Sequence, residues 1–397
     1  MPKPLPRPTG DSPAVDECVR AFRSVLHMPD CSPVFAALGA VAANYFQGDP
    51  IWLMLVGAPS TGKTVIVNAC SRLPDCRRAS NANNASAFLT WDRQRGMGGM
   101  LSPHRMEQGE ETGGIGEFGI MVYPEFTSIL SQSPDVRTFI SSVHRDIYDG
   151  QWSREFGSNG GRVLTWNGKC GSIGAVTPAV DRHSMYGEMG ERWLYYRLPP
   201  PDLIAQANAM GQIHSEDPAD RSAKLSAAVM HVFNESGIMK GMEPRGLNAY
   251  ERQRMSRTVR AACLLRGTVA RDHHHRDVID LPQVEGSGRM FSALASIFFA
   301  LEKLGLRNVW CWKIVRKIAF DGAPGLRIEF IKALLRLQHT RLPLDVPNVR
   351  NILGMSPGVL GRLLEDVKML GLLRSGDKGW GIDEGVEKVF KEIEDDK

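Results

Sequence analysis

Long apolar runs are missing from this 397-residue sequence, and none approaches the roughly 20 residues that a membrane-spanning helix needs. The opening stretch MPKPLPRPTGDSP is proline-rich without an apolar core, so neither a signal peptide nor a membrane anchor is expected there. Cysteine is sparse, odd in number (seven) and never spaced C-x-x-C, which points to reduced thiols in a cytosol-like compartment and a cytoplasmic protein. Zinc-ligand spacing is absent too. His273, His274 and His275 are adjacent and cannot all face one point on a helix. No cysteine or acid pattern completes a set with them, so a solvated turn is expected. No dense carboxylate cluster is present, which argues against a nuclease or primase module. The net charge of +4 is mild, so any contact with nucleic acid must come from local patches.

What is present is ordinary globular material, 43% hydrophobic and 23% charged, with length for two or three domains. Its most informative stretch is IWLMLVGAPSTGKT at 51–64. An apolar run from Ile51 to Val56 breaks into Gly57, Ala58, Pro59, Ser60, Thr61, Gly62, Lys63 and Thr64, and Val65 opens a helix-compatible segment. This is the G-x-x-x-x-G-K-[ST] phosphate-binding pattern between a buried strand and a helix. The glycines allow a tight turn whose N–H groups, with the helix N-terminus, face a phosphate. Lys63 is placed to neutralise β- and γ-phosphates, and the Thr64 hydroxyl to ligate Mg²⁺, so ATP with Mg²⁺ is the expected cofactor.

The rest of the chain frames that loop. Residues 1–12 read as a flexible arm and 13–48 as two helices. After the loop, 77–89 suggests a strand and short helix, while 96–119 holds eight glycines in twenty-four positions and reads as mobile loops. Gly119–Tyr123 is a buried-strand candidate ending in Pro124-Glu125. The usual pair at such a strand end is Asp-Glu, so Pro124 removes one acid. Glu125 is the single strand-end acid, and either supports the metal or polarises the attacking water. Residues 134–148 are helical in pattern, and 151–168 read as a β-hairpin around 158–161. A strand at 169–177 ends in Thr177, and a last strand follows Gly190-Glu191-Arg192.

Three prolines at 199–201 close an α/β core expected over 49–200, with a parallel sheet. A helical region over 201–304 follows, including a basic amphipathic helix at about 247–269. From 305 to 385 the order is helices, then Ser356-Pro357 opening another helix, then a small hairpin, which is the order of a winged helix-turn-helix. Residues 301–378 carry 14 Lys/Arg against 7 Asp/Glu, a local +7, so this module is expected to contact DNA, with Arg362 on its last helix. Protein contact is the alternative. Residues 386–397 read as an acidic tail.

Phosphate loop, acid-ended strand, hairpin, polar-ended strand, Gly-Glu-Arg strand and helical region, in this order, resemble the AAA+ ATPases over about residues 15–300. The anchors are GAPSTGKT, MVYPEFTSIL, GAVTPAVD and MGERWLYYRLP. The combination looks closest to ATPases of phages and other mobile elements, of the MCM-like or superfamily 3 helicase kind. Glu125-Phe126-Thr127, Tyr148-Asp149-Gly150 and Gly190-Glu191-Arg192-Trp193 are similar to motifs of such proteins.

The resemblance implies roles for single residues. Thr177 is similar to a first sensor that orients water. Arg192 looks like an arginine finger acting on a neighbouring subunit, or else supports its strand or binds DNA. Arg257 is the candidate second sensor and makes the 201–304 region a lid, with Arg254, Arg260 and Arg289 competing for the role. The hairpin occupies the place where ring helicases project a DNA-contacting element, with Arg154, Arg162 and Lys169 flanking it, although its tip lacks the lysine expected there. A purely structural hairpin is the alternative. The implied function is an ATP-hydrolysing DNA motor of mobile-element replication, assembled as a ring such as a hexamer. The runner-up is a non-translocating initiator, helicase loader or regulator, and a signal-transducing ATPase ranks third.

Overall fold

The apolar run at 52–56 forms a central strand, and its complete burial is what a strand covered on both faces requires. The computed structural model describes residues 12–79, 84–92, 96–107, 110–156, 161–182, 192–213, 217–272, 274, 276–340, 346–376 and 379–395. The arm before Ser12, the hairpin tip at 158–160, Gly190, Glu191, His273 and His275 lie outside them.

The chain divides into two units, Met1–Arg245 with Ser296–Ile314, and Gly246–Ala295 with Val315–Lys397. In the first, α1 (Pro13–Val25) and α2 (Ser32–Ala43) precede β1 (Trp52–Val56) and α3 (Lys63–Cys70). Then come β2 (Cys76–Arg78), α4 (Ala85–Phe88), β3 (Thr90–Asp92), β4 (Gly96–Gly98), β5 (His104–Glu107), β6 (Glu110–Gly113) and β7 (Phe118–Tyr123). The chain continues through α5 (Thr127–Leu130), α6 (Pro134–Tyr148), β8 (Gln151–Phe156), β9 (Arg162–Asn167), β10 (Lys169–Val176) and β11 (Trp193–Arg197). Two helices, α7 (Leu203–Ile213) and α8 (Pro218–Glu235), complete this part, with α8 lying against α1 and α3.

The central sheet has the order β11-β1-β10-β7-β2, and every neighbouring pair is parallel. The molecule is thus mixed α/β with a five-stranded parallel sheet, as the sequence led us to expect at that level. The glycine-rich segment read at 96–119 as mobile loops is more ordered than that: its β4 pairs with β3 and its β5 with β6, both antiparallel. The hairpin β8–β9 is present, pairing Gln151 with Asn167 through Phe156 with Arg162.

Helix α2 is apolar on all sides because both of its faces are covered. One side meets β1 and β10, and on the other Gly39 has room for no side chain, since an added Cβ would lie 2.8 Å from Leu301. Asn44, fully buried, donates to the carbonyls of Ala40 and Ile51 and accepts the Ile51 N–H, which fixes where β1 begins. On the opposite face of the sheet Trp52, Trp193, Tyr123, Phe126 and His144 form an aromatic cluster with ring centroids 4.8–6.2 Å apart. A fully buried aromatic of this kind contributes about 1.5–3 kcal/mol.

In the second unit, α9 (Ala249–Arg266) opens with a capping box, Asn248 and Glu251 bonding each other's backbone N–H. The boundary between the units falls inside α10 (Gly288–Lys303) and α11 (Asn308–Asp321). Then follow α12 (Gly325–His339), α13 (Val346–Leu353), α14 (Pro357–Met369), a hairpin of β12 (Leu373–Gly376) and β13 (Gly379–Ile382), and α15 (Glu384–Asp395). Pro357 holds the first helical position of α14, but Ser356 makes no side-chain cap bond. The stretch read as an acidic tail is largely α15. Val386 and Val389 are fully buried, and Glu392 pairs with Arg254 at 3.3 Å and Arg257 at 3.0 Å.

Candidate active site

In a parallel sheet every strand delivers its C-terminal end to one edge. Here Val56, Tyr123 and Val176 lead at that edge into Gly57, Pro124-Glu125 and Thr177. The Gly57 N–H donates to the Val176 carbonyl at 3.2 Å, which anchors the glycine-rich loop to the sheet. The loop then turns through Ser60 at φ 62° and Gly62 at φ 85°, left-handed conformations that suit Gly62 and strain Ser60. Helix α3 begins directly at Lys63.

Lys63 is 5% exposed and folds back over its own loop, donating to the Ala58 carbonyl at 2.6 Å and the Thr61 hydroxyl at 3.4 Å. Burial lowers its pKa, while the nearby Glu125 carboxylate acts in the opposite sense. The Thr64 hydroxyl donates to the Pro124 carbonyl at 3.3 Å. The oxygen facing Thr64 is therefore a backbone carbonyl, where an Asp-Glu strand end would offer a carboxylate. Glu125 is exposed, and one of its oxygens accepts the Thr127 N–H at 3.0 Å.

Thr127 is a residue whose role sequence reasoning missed, although it stood inside the Glu125-Phe126-Thr127 motif. Its hydroxyl oxygen accepts the Thr177 N–H at 3.2 Å and lies 3.4 Å from the Thr177 hydroxyl. Gln206 on α7 carried no sequence signal, yet it donates to the Ser60 carbonyl at 2.6 Å. A cavity of about 780 Å³ opens beside the loop. Leu26, Met28, Leu198, Gly62, Thr64 and Val65 are among the residues that line it. Pro59 stays exposed on the loop.

Arg192 lies elsewhere in the first unit. Arg192 precedes β11, whose Trp193 is in register with Trp52, so it stands at the opposite edge of the sheet, roughly five residues or ~16 Å of strand from the loop. There it pairs with Asp149 at 2.8 Å and lies over the Tyr148 ring at 5.5 Å. Two motifs far apart in sequence thus meet. The arginine in register with Val56 is Arg197, held bidentate by Asp181 at 2.7 and 2.8 Å. Arg257 is in the second unit, bonded to Glu392.

The hairpin cations are also engaged within the chain. Arg154 donates to Ser86 at 2.9 Å and to the Leu89 carbonyl at 2.6 Å, and Arg162 stacks on Trp91 at 3.8 Å. Lys169 donates to the Phe46 carbonyl at 2.6 Å, and burial lowers its pKa to about 8 against the pull of Asp49. Arg362 is exposed on α14.

Among the described residues no group of three or more His, Cys, Asp or Glu side chains could hold a metal. A Thr hydroxyl beside one carboxylate suits Mg²⁺, which keeps waters and takes further ligands from phosphates. Here the Thr64 hydroxyl faces the Pro124 carbonyl, and Glu125 is the next residue along the chain. Among the described residues no helix is long and apolar enough to cross a membrane. No protein-family model matches the chain, and no curated protein matches it. Fold and site together define a mixed α/β protein with a glycine-rich loop, a lysine, three threonines and an acid at the C-terminal edge of a parallel sheet.

Proposed function

We propose that the chain is an AAA+-like ATPase that binds Mg·ATP at Gly57–Thr64 and hydrolyses it to act on DNA, as a motor or switch of mobile-element replication. The observation that carries this reading is the convergence of Lys63, Thr64, Glu125 and Thr177 at one sheet edge, where Lys63 and Thr64 also line a cavity. Loop N–H groups and the α3 N-terminus supply positive potential for the phosphates, as at other glycine-rich turns preceding a helix. Lys63 exchanges the Ala58 carbonyl for phosphate oxygens. Bound with the nucleotide, Mg²⁺ would be held by Thr64 and phosphate oxygens and would offset phosphate charge, which leaves Glu125 to the water. Glu125 accepts the proton of the attacking water, and Thr177 orients that water. The apolar walls at Leu26, Met28 and Leu198 suit the nucleobase.

The exposed Arg362 and the helix, helix, helix, hairpin order of the second unit support a winged module that touches DNA. Arg192 acts across a subunit boundary in the ring-forming version of this reading, which requires it to leave Asp149. A second reading, a non-translocating initiator or loader, is favoured by one observation. Arg154, Arg162 and Lys169 are all engaged inside the chain, which suits a welded hairpin better than one gripping DNA.

The test is ATP turnover and oligomeric mass with and without single- and double-stranded DNA. Hydrolysis abolished by Lys63→Ala is the expected result, and undiminished turnover in that variant overturns the site. Strand unwinding selects the motor. Duplex binding without unwinding selects the initiator.

A further inference from the structure

The short helix α5 begins at Thr127, two residues beyond Glu125, and lies against the end of β10. Its first turn is pinned there by the Phe126 N–H, which donates to the Ala175 carbonyl at 2.8 Å. Phe126 itself is buried against Tyr123 and Trp193. Thr127 therefore occupies a fixed position between two side chains that the nucleotide reading treats as functional. Its N–H holds one Glu125 oxygen at 3.0 Å. Its hydroxyl oxygen receives the Thr177 N–H at 3.2 Å, and the Thr177 hydroxyl is 3.4 Å away.

We propose that Thr127 is a positioning residue for hydrolysis, coupling the acid at the end of β7 to the hydroxyl at the end of β10. The proposal rests on the ATPase reading above. With one carboxylate oxygen held by the Thr127 N–H, the other is left to face water. With the Thr127 oxygen occupied by the Thr177 N–H, its proton is free for the Thr177 oxygen, and the Thr177 proton can then point outward. In the step served, the water oxygen forms a bond to the γ-phosphorus. The bond from that phosphorus to the bridging oxygen breaks and its electron pair leaves with ADP. The water proton passes to Glu125 and from there to solvent. Thr127 touches none of the reacting atoms. It sets the direction of the two groups that do, and small misplacements of such groups are costly.

Thr127→Val and Thr127→Ser separate this role from simple packing. Valine removes the hydroxyl and leaves the Thr177 N–H without an acceptor, whereas serine keeps the link. We expect Thr127→Val to lower kcat by about 10- to 100-fold with affinity for ATP within about threefold of wild type. Thr127→Ser should stay within about threefold in both, and adding Thr127→Val to Glu125→Gln should cause little further loss. Wild-type turnover in Thr127→Val, equal damage in the serine and valine variants, or loss of ATP affinity in parallel with kcat overturns the coupling role. A melting curve for each variant identifies a fold defect, and a serine variant that fails to restore the fold also counts against the proposal. A wild-type chain that neither binds nor hydrolyses ATP overturns the nucleotide reading, and this role with it. An active wild type indifferent to Thr127→Val overturns this role alone.

Discussion

The two edges of the five-stranded sheet treat their polar groups in opposite ways. Lys63 at one edge and Lys169 at the other look alike locally. Each ammonium donates to a backbone carbonyl at 2.6 Å, and burial lowers the pKa of each. Their surroundings separate them. Lys63 caps the carbonyl of a loop with two left-handed residues, beside a cavity and the Glu125 carboxylate. Lys169 bonds Phe46, just beyond α2, and Arg192, at the same edge, is closed off by Asp149 and Tyr148. If Lys63 is the phosphate ligand proposed above, burial and a short hydrogen bond are not what distinguishes it from Lys169. A partner that can be exchanged for a ligand is.

The largest expected effect contrasts the two lysines directly. Lys63→Met should lower ATP turnover by at least about 100-fold, the loss of roughly 3 kcal/mol of charge stabilisation. Lys169→Met should leave turnover per folded molecule unchanged and lower stability by about 1–3 kcal/mol by stranding the Phe46 carbonyl. Equal loss of turnover in both would dissolve the distinction between the edges.

Next in size is a pH effect at the strand that ends in Glu125. His144 is fully buried, bonded to the Tyr123 hydroxyl at 2.8 Å and close to the Ile140 carbonyl at 2.9 Å, and burial lowers its pKa to about 4. The unfolded chain takes up this proton near pH 6.5 and the folded chain only near 4, so stability is full above 6.5 and declines as pH falls through that window. The contribution at stake is about 3 kcal/mol. Denaturant melts at pH values of about 7 and 4.5, the first above that window and the second near its lower end, should show it, and His144→Gln should reduce the difference.

A smaller effect is expected from Gln206→Ala. Loss of its bond to the Ser60 carbonyl should weaken nucleotide affinity by about 3- to 10-fold, roughly 1 kcal/mol, as titration with an ATP analogue would measure. The smallest belongs to the opposite edge. Asp149 is largely exposed, so Asp149→Ala should cost less than about 1 kcal/mol in a thermal melt and leave nucleotide affinity unchanged. A large loss of affinity in that variant would mean that the edges are coupled.

Features set by local pattern are legible in the sequence alone. The glycine-rich loop follows its buried strand, the helix expected at 134–148 is α6, and the hairpin expected at 151–168 is β8–β9. Features set by distant partners are not. Arg154 meets Leu89, 65 residues away, and Arg254 meets Glu392, 138 residues away, so neither destination is written in neighbouring residues. The acids at 384–395 suggest a solvated tail because charge hides the spacing of Val386, Val389 and Phe390, which gives α15 its buried face. The glycines at 96–119 hide strands for a similar reason. Gly99 and Gly114 sit where an added Cβ would lie within 2.6 Å of backbone oxygen, so there glycine marks close packing and not looseness.

The first unit is discontinuous along the chain, and this bears on the order in which the protein is made. Phe299 stacks on Phe46 with ring centroids 5.0 Å apart, Leu301 fills the space over Gly39, and Glu302 holds Arg245 at 2.8 Å. The ribosome must pass residues 246–295 before it supplies these groups. At ordinary elongation rates that is a wait on the order of several seconds. During it the outer side of α2 faces water as an apolar stripe, a temptation for chaperones and for other nascent chains. A fragment stopped at Arg245 would stay in that condition, and should be met in the insoluble fraction of a cell lysate more than in the soluble one.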